Sequence, residues 1–157
     1  MITDKDALTR ITAYCALAER CLSDVRLKLK KWELPTQQID EMVQWLQNEQ
    51  YLDEERYCQA FVKDKYRFAK WGERKIKQAL QQKGVSGTVV DRCLHSTIDE
   101  EEYLAILQQL LKAKRRITKG KNEYEINAKL IRFALGRGFV MKDILRFVHA
   151  SDQAYEE

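Results

Sequence analysis

Cationic side chains crowd two stretches of this chain. Lys63, Lys65, Arg67, Lys70, Arg74, Lys75 and Lys77 fall within fifteen residues, with only Asp64 and Glu73 against them. Lys112, Lys114, Arg115, Arg116, Lys119 and Lys121 fall within ten residues that hold no acid at all. Fixed positive charge at this density attracts polyanions, whether nucleic-acid phosphate or an acidic protein groove. Tyr66, Phe68, Trp71 and Tyr124 lie within or beside the two stretches. Exposed, they would stack on unpaired bases. In a small helical protein, large aromatics more often fill the interior, and core packing is the expectation for them.

Other chemistry is thinly represented. His95 and His149 are the only histidines, and neither has a serine or cysteine in a nucleophile motif. The sequence has no Walker A loop, GxGxxG or HExxH. The acidic runs Asp53–Glu55 and Asp99–Glu102 make poor metal cages, because successive helical residues point different ways around the axis. Acidic charge at the positive end of a helix is the better reading. Cys15, Cys21, Cys58 and Cys93 form no CxxC pair and no cluster with histidine, so they read as buried thiols. No catalytic residue, metal site or cofactor is therefore expected.

These side chains must be carried by some fold. The chain has 157 residues, of which 45% are hydrophobic and 33% charged, against disorder, collagen or a membrane protein. Its opening, Met1-Ile2-Thr3-Asp4-Lys5-Asp6, lacks the basic and apolar regions of a secretory signal, so a cytoplasmic protein is expected. One proline and six glycines are too few for the turns of a β fold, whereas helix formers abound. The net charge of +4 is uneven: residues 1–60 carry −3 and residues 61–157 carry +7. The two parts are expected to face different partners, or one bipolar partner.

The chain also repeats. Val25, Leu29, Leu34, Ile39 and Met42 match Ile76, Leu80, Val85, Val90 and Cys93 at an offset of 51. These in turn match Leu130, Ala134, Phe139, Ile144 and Phe147 at an offset of 54. The first two positions of each set share a helix face, and the third lies beyond a break. Gly84 and Gly138 occupy that break in the second and third copies, as a left-handed residue closing a helix would. Glu33 stands there in the first, with Pro35 two residues later, where the next helix begins. A longer helix precedes each pair, started by Thr3, Asp53 or Asp99. The spacing predicts an all-α protein: three tandem three-helix units at residues 1–50, 51–97 and 98–157, packed into an elongated, curved array. Its radius of gyration should exceed the roughly 15 Å of a compact chain this long. Lys112–Lys121 reads as an exposed connection between the first two helices of the third unit.

Residues 74–90 have the outline of a helix-turn-helix reader of duplex DNA. The second helix would enter the groove with Ser86, Gly87, Thr88, Val89, Val90 and Asp91, which offer no basic or amide side chain to base edges. Sequence-specific duplex binding is not expected. The ordered string Tyr51-Leu52-Asp53-Glu54-Glu55-Arg56-Tyr57, Ala60-Phe61-Val62, Trp71-Gly72-Glu73-Arg74-Lys75-Ile76 and Leu80-Gln81-Gln82-Lys83-Gly84-Val85 resembles the central signature of RecX regulatory proteins. Lys129, Arg132-Phe133, Arg137-Gly138-Phe139 and Ile144 resemble its ending, and Asp24-Val25-Arg26 with Lys28-Leu29 its beginning. Cys21 stands where that family usually has a serine, with Ser23 two residues on.

The resemblance implies a non-enzymatic regulator built of tandem three-helix units, a monomer. It would bind the RecA filament on single-stranded DNA and inhibit its growth, strand exchange, ATP hydrolysis and co-protease activity, with direct contact to the DNA itself as a second mode. The expected partner- or DNA-binding residues are Lys70, Arg74, Lys75, Lys77, Lys112, Lys114, Arg115, Arg116, Lys119, Lys121, Arg132 and Arg137. For Arg74 a structural ion pair is the competing expectation. The rival reading is a non-specific nucleic-acid-binding helical protein that needs no recombinase partner.

Overall fold

A computed structural model describes residues 2–149. Among the described residues there are nine α-helices and no strand. They are α1 (Asp4–Leu17), α2 (Leu22–Lys31), α3 (Thr36–Asn48), α4 (Glu54–Arg67), α5 (Glu73–Gln82), α6 (Gly87–Thr97), α7 (Glu100–Ile117), α8 (Glu123–Gly136) and α9 (Met141–Ile144). None of them is long and apolar enough to cross a membrane.

Local chemistry sets the boundaries. Thr3 Oγ1 accepts from the Asp6 N–H at 3.1 Å, and Asp53 Oδ1 accepts from the Arg56 N–H at 3.1 Å. Asp99 Oδ1 accepts from the N–H groups of Glu101 and Glu102. Each cap satisfies donors that the first helical turn leaves unpaired. Cys21 precedes α2 without a capping bond of its own; Ser23 Oγ donates instead to the Lys83 carbonyl at 2.7 Å.

The repeat shows itself most clearly at the corner between the second and third helices of each trio. Glu33, Gly84 and Gly138 all have positive φ, at 61°, 82° and 99°. The next residue reaches back to the same helical carbonyl in each case: Leu34 to Leu29, Val85 to Leu80, and Phe139 to Ala134. This is the left-handed helix stop in which the residues on either side of the turn also meet as apolar neighbours. The apolar positions of the repeat are buried, except that Leu34, Met42 and Phe147 are half-buried.

One expectation is corrected. Residues 112–117 are not a connecting loop, because α7 runs on to Ile117 and the connection is only 118–122. No glycine or proline falls between Asp99 and Gly120, and lysine and arginine favour the negative end of a helix dipole. Thr118 closes the helix, its hydroxyl donating to the Lys114 carbonyl at 2.6 Å.

Packing divides the chain into two compact units. The first comprises Met1–Phe61 and Leu80–Cys93, the second Val62–Ala79 and the chain from Leu94 on. Helices α4, α5 and α6 each begin in one unit and end in the other. The first unit centres on Ile11, Val25, Leu29, Val43, Leu46 and their neighbours. An Arg56–Glu19 ion pair at 2.5 Å and a Lys83–Asp24 pair at 3.1 Å lie around it. The second unit is built on aromatic contacts: Tyr103 lies 6.3 Å from Tyr66 and 5.3 Å from Phe139, ring centre to ring centre. Beside them the Gly72 N–H donates to the Arg137 carbonyl at 2.7 Å, and the Arg74 N–H to Gly138 at 3.1 Å.

Candidate partner interface

The second compact unit carries 18 basic and 12 acidic residues in sequence, the first 10 and 12. The cationic candidates all belong to the second unit. Several are already engaged within it. Arg137 Nε donates to the Lys70 carbonyl at 3.1 Å, and its NH2 to the Ala69 carbonyl. The guanidinium thus holds carbonyls that the end of α4 leaves open. Lys70 itself is exposed and has φ 58°, a left-handed conformation that a non-glycine residue adopts at some cost. Arg67, from the first cationic stretch, is paired with Glu102 at 2.7 Å, and the same carboxylate accepts from the Tyr66 hydroxyl at 2.6 Å. Those two bonds, Tyr66 first, hold the Glu102 carboxyl below its ordinary value.

Lys75 places its ammonium 4.5 Å from the centre of the Trp71 ring, and Lys65 places its own at 4.9 Å. Trp71 is half-buried between these charges. Lys77 is half-buried on α5. Arg74 is exposed in the first turn of α5, and among the described residues no carboxylate pairs with it. The competing expectation of a structural ion pair therefore has no support among them. Of the aromatics, Tyr66 is buried and Trp71 half-buried, whereas Phe68 is 79% and Tyr124 45% exposed. Core packing holds for the first two and fails for the others: Phe68 lies just past the end of α4 and Tyr124 in the first turn of α8.

On α7, Lys112 and Arg116 stand four residues apart and share an exposed face. Lys114 is half-buried, its ammonium 4.9 Å from the Phe133 ring centre. Arg115 donates to Asn127 Oδ1 at 2.8 Å, and Asn127 Nδ2 donates to the His149 carbonyl at 2.9 Å. Lys119 and Lys121 are exposed in the connection to α8. The Lys119 carbonyl accepts from Lys129 Nζ at 2.6 Å. Arg132 lies on the exposed side of α8. Lys70, Arg74, Lys112, Arg116, Lys119, Lys121 and Arg132 thus keep their charge available, while Arg137 and Arg115 are partly committed inside the fold.

Sequence reading missed Asn127, the one buried polar side chain among the described residues, because an asparagine on a helix carries no periodic signal. It also missed Arg146, which lies outside both basic stretches. Together with Gln108, Lys112 and Arg115, Arg146 lines a cleft of about 220 Å³ whose apolar lining is Leu111, Phe147 and Val148.

Trios of helices, a left-handed corner recurring at the same place in each, and unpaired cations on the second unit define a helical-repeat protein with a basic surface. Family models described as the second and third three-helix domains of RecX match residues 53–94 and 100–148. The regulatory protein RecX of Clostridium botulinum (strain Eklund 17B / Type B) is 31% identical over 154 residues, covering 93% of this chain and 72% of that protein. The regulatory protein RecX of Clostridium acetobutylicum is 26% identical over 141 residues; the match covers 88% of this chain but 65% of that longer relative. A crystal structure of RecX from Lactobacillus salivarius superposes with a TM-score of 0.84 at 16% identity, covering 92% of this chain and 93% of the other, which shows the shared fold. The chain belongs to the RecX family of regulatory proteins.

Proposed function

We propose that this protein is a non-enzymatic, cytoplasmic regulator that acts as a monomer on the RecA filament assembled on single-stranded DNA. Binding limits filament growth and lowers strand exchange, ATP hydrolysis and co-protease activity. The trios at residues 1–50, 51–97 and 98–157 are the modules that contact the filament. Family membership supports the regulatory role. The observation that carries the polyanionic target is the set of unpaired cations on one compact unit: Lys70 and Arg74 near α5, Lys112 and Arg116 at the end of α7, and Lys119 and Lys121 in the connection after it. Many individually weak charge contacts to a repeating target add through effective concentration. They weaken as salt displaces them.

The exposed Phe68 and Tyr124 favour a second reading, a non-specific single-strand binder that needs no recombinase. One comparison separates the two. At physiological salt, the regulator binds a RecA-coated strand more tightly than the bare strand and slows RecA-driven ATP hydrolysis. Equal or weaker binding to the coated strand sustains the rival. Reversing charge at Arg115 and Arg116 should weaken the inhibition, and unchanged inhibition would remove that pair from the interface.

A further inference from the structure

The basic residues around α7 are of two kinds. Arg116, Lys119 and Lys121 stand on open surface, whereas Lys112, Arg115 and Arg146 converge on the 220 Å³ cleft. That cleft has an apolar lining, and one of its cations is fixed from behind. Arg115 gives one N–H to Asn127, whose amide is itself anchored on the His149 carbonyl. A buried asparagine is costly in a core unless its bonds are made, and here they hold a guanidinium in place. The remaining N–H groups of Arg115 form the planar fork that matches a carboxylate or phosphate. Arg146 Nε is paired with Asp143 at 3.7 Å.

We infer that this cleft takes an acidic side chain, together with an apolar neighbour, from a partner protein. Size and shape favour a peptide over a nucleic-acid strand. The volume falls below the roughly 300–1,000 Å³ of a small-molecule site and suits single side chains. A single strand binds where a groove tracks its backbone and a flat ring takes its base. The cleft offers neither, since its one aromatic, Phe147, is half-buried in the lining. The open cations beyond it remain the better phosphate contacts. The inference rests on the proposed filament-binding role and divides its basic surface into a protein-facing and a DNA-facing part.

Two variants of equal charge loss test it. One is Lys112→Gln with Arg115→Gln and Arg146→Gln; glutamine at 115 keeps a donor for Asn127. The other is Arg116→Gln with Lys119→Gln and Lys121→Gln. Affinity is measured for a bare thymidine oligonucleotide and for the same strand coated with RecA, with helical content checked by circular dichroism. The cleft variant should lose about tenfold or more on the coated strand, as truncated desolvated charge contacts do, and change less than about twofold on the bare one. The open-surface variant should lose affinity for the bare strand. A cleft variant that weakens bare-strand binding as much as its counterpart makes the cleft a phosphate site and overturns the inference. So does a folded cleft variant with unchanged affinity for the coated strand. Failure of the wild-type chain to bind the coated strand is a separate result, and it overturns the filament-binding role together with the inference.

Discussion

Gly72 and Gly138, sixty-six positions apart, meet backbone to backbone. A side-chain carbon at Gly72 would overlap the carbonyl group of Gly138 and the nitrogen of Phe139. One at Gly138 would stand 2.5 Å from Lys75 Cβ and 2.6 Å from Lys75 N. The start of α5 and the corner after α8 can approach only because both residues lack a Cβ. Gly138→Ala should therefore cost more than about 3 kcal/mol, combining backbone strain with overlap. Gly84 also has a positive φ but nothing within 4 Å of the new carbon, so Gly84→Ala should cost about 1 kcal/mol. Urea unfolding of the two variants measures the difference.

Arg137 serves the same corner through its side chain. Its bonds to the Ala69 and Lys70 carbonyls predict that Arg137→Ala destabilises the protein by about 1–3 kcal/mol. Arg137→Lys, which can reach one carbonyl at a time, should recover part of that. Filament inhibition per folded molecule should change little, because the guanidinium is bonded to backbone carbonyls of its own chain. A large loss of inhibition with no change in melting temperature would contradict this.

Glu102 links folding to acidity. Its bonds to Tyr66 and Arg67 lower its folded pKa, so their contribution is present above the ordinary glutamate value of about 4.3 and is lost as pH falls through the folded value. Glu102→Gln should lower the melting temperature at pH 7. The gap between wild type and variant should narrow progressively as the pH falls below the ordinary glutamate value. A gap that stays constant across that range would count against the pairing.

The four cysteines are buried. Burial, with Cys93 adding to it, pushes the Cys58 thiol up to about 12, and burial raises Cys15 and Cys21 as well. Thiols held protonated are poor nucleophiles. At pH 8 an aromatic disulfide reagent should modify the native protein at least about a hundredfold more slowly than the urea-unfolded chain. Rapid labelling of the native protein would show that these sites open readily.

The helices and their corners were legible because each rests on local chemistry. Capping aspartates, an apolar pair four residues apart and a residue able to turn left-handed are all visible in the string, and the offsets of 51 and 54 made the corners comparable. The extent of α7 was misread because charge density was taken for exposure and exposure for a loop. A helix can carry both, as Lys112 and Arg116 do. The cleft was not legible at all. Arg146 and Arg115 are thirty-one positions apart, and Asn127 matters only through a carbonyl that the sequence does not place. Arg137 enters the sequence reading through the Arg137-Gly138-Phe139 resemblance, whereas its bonding partners are backbone oxygens, which no motif reveals.

Glu33 is the only one of the three corner residues that is not glycine, yet it holds φ at 61°. The first corner is thus a preloaded joint with slack that evolution or an engineer could release. Glu33→Gly is a local adjustment, remote in sequence from every basic residue proposed to bind. It would let the thermal resistance of the amino-terminal trio be tuned by about 1 kcal/mol while leaving the working surface untouched.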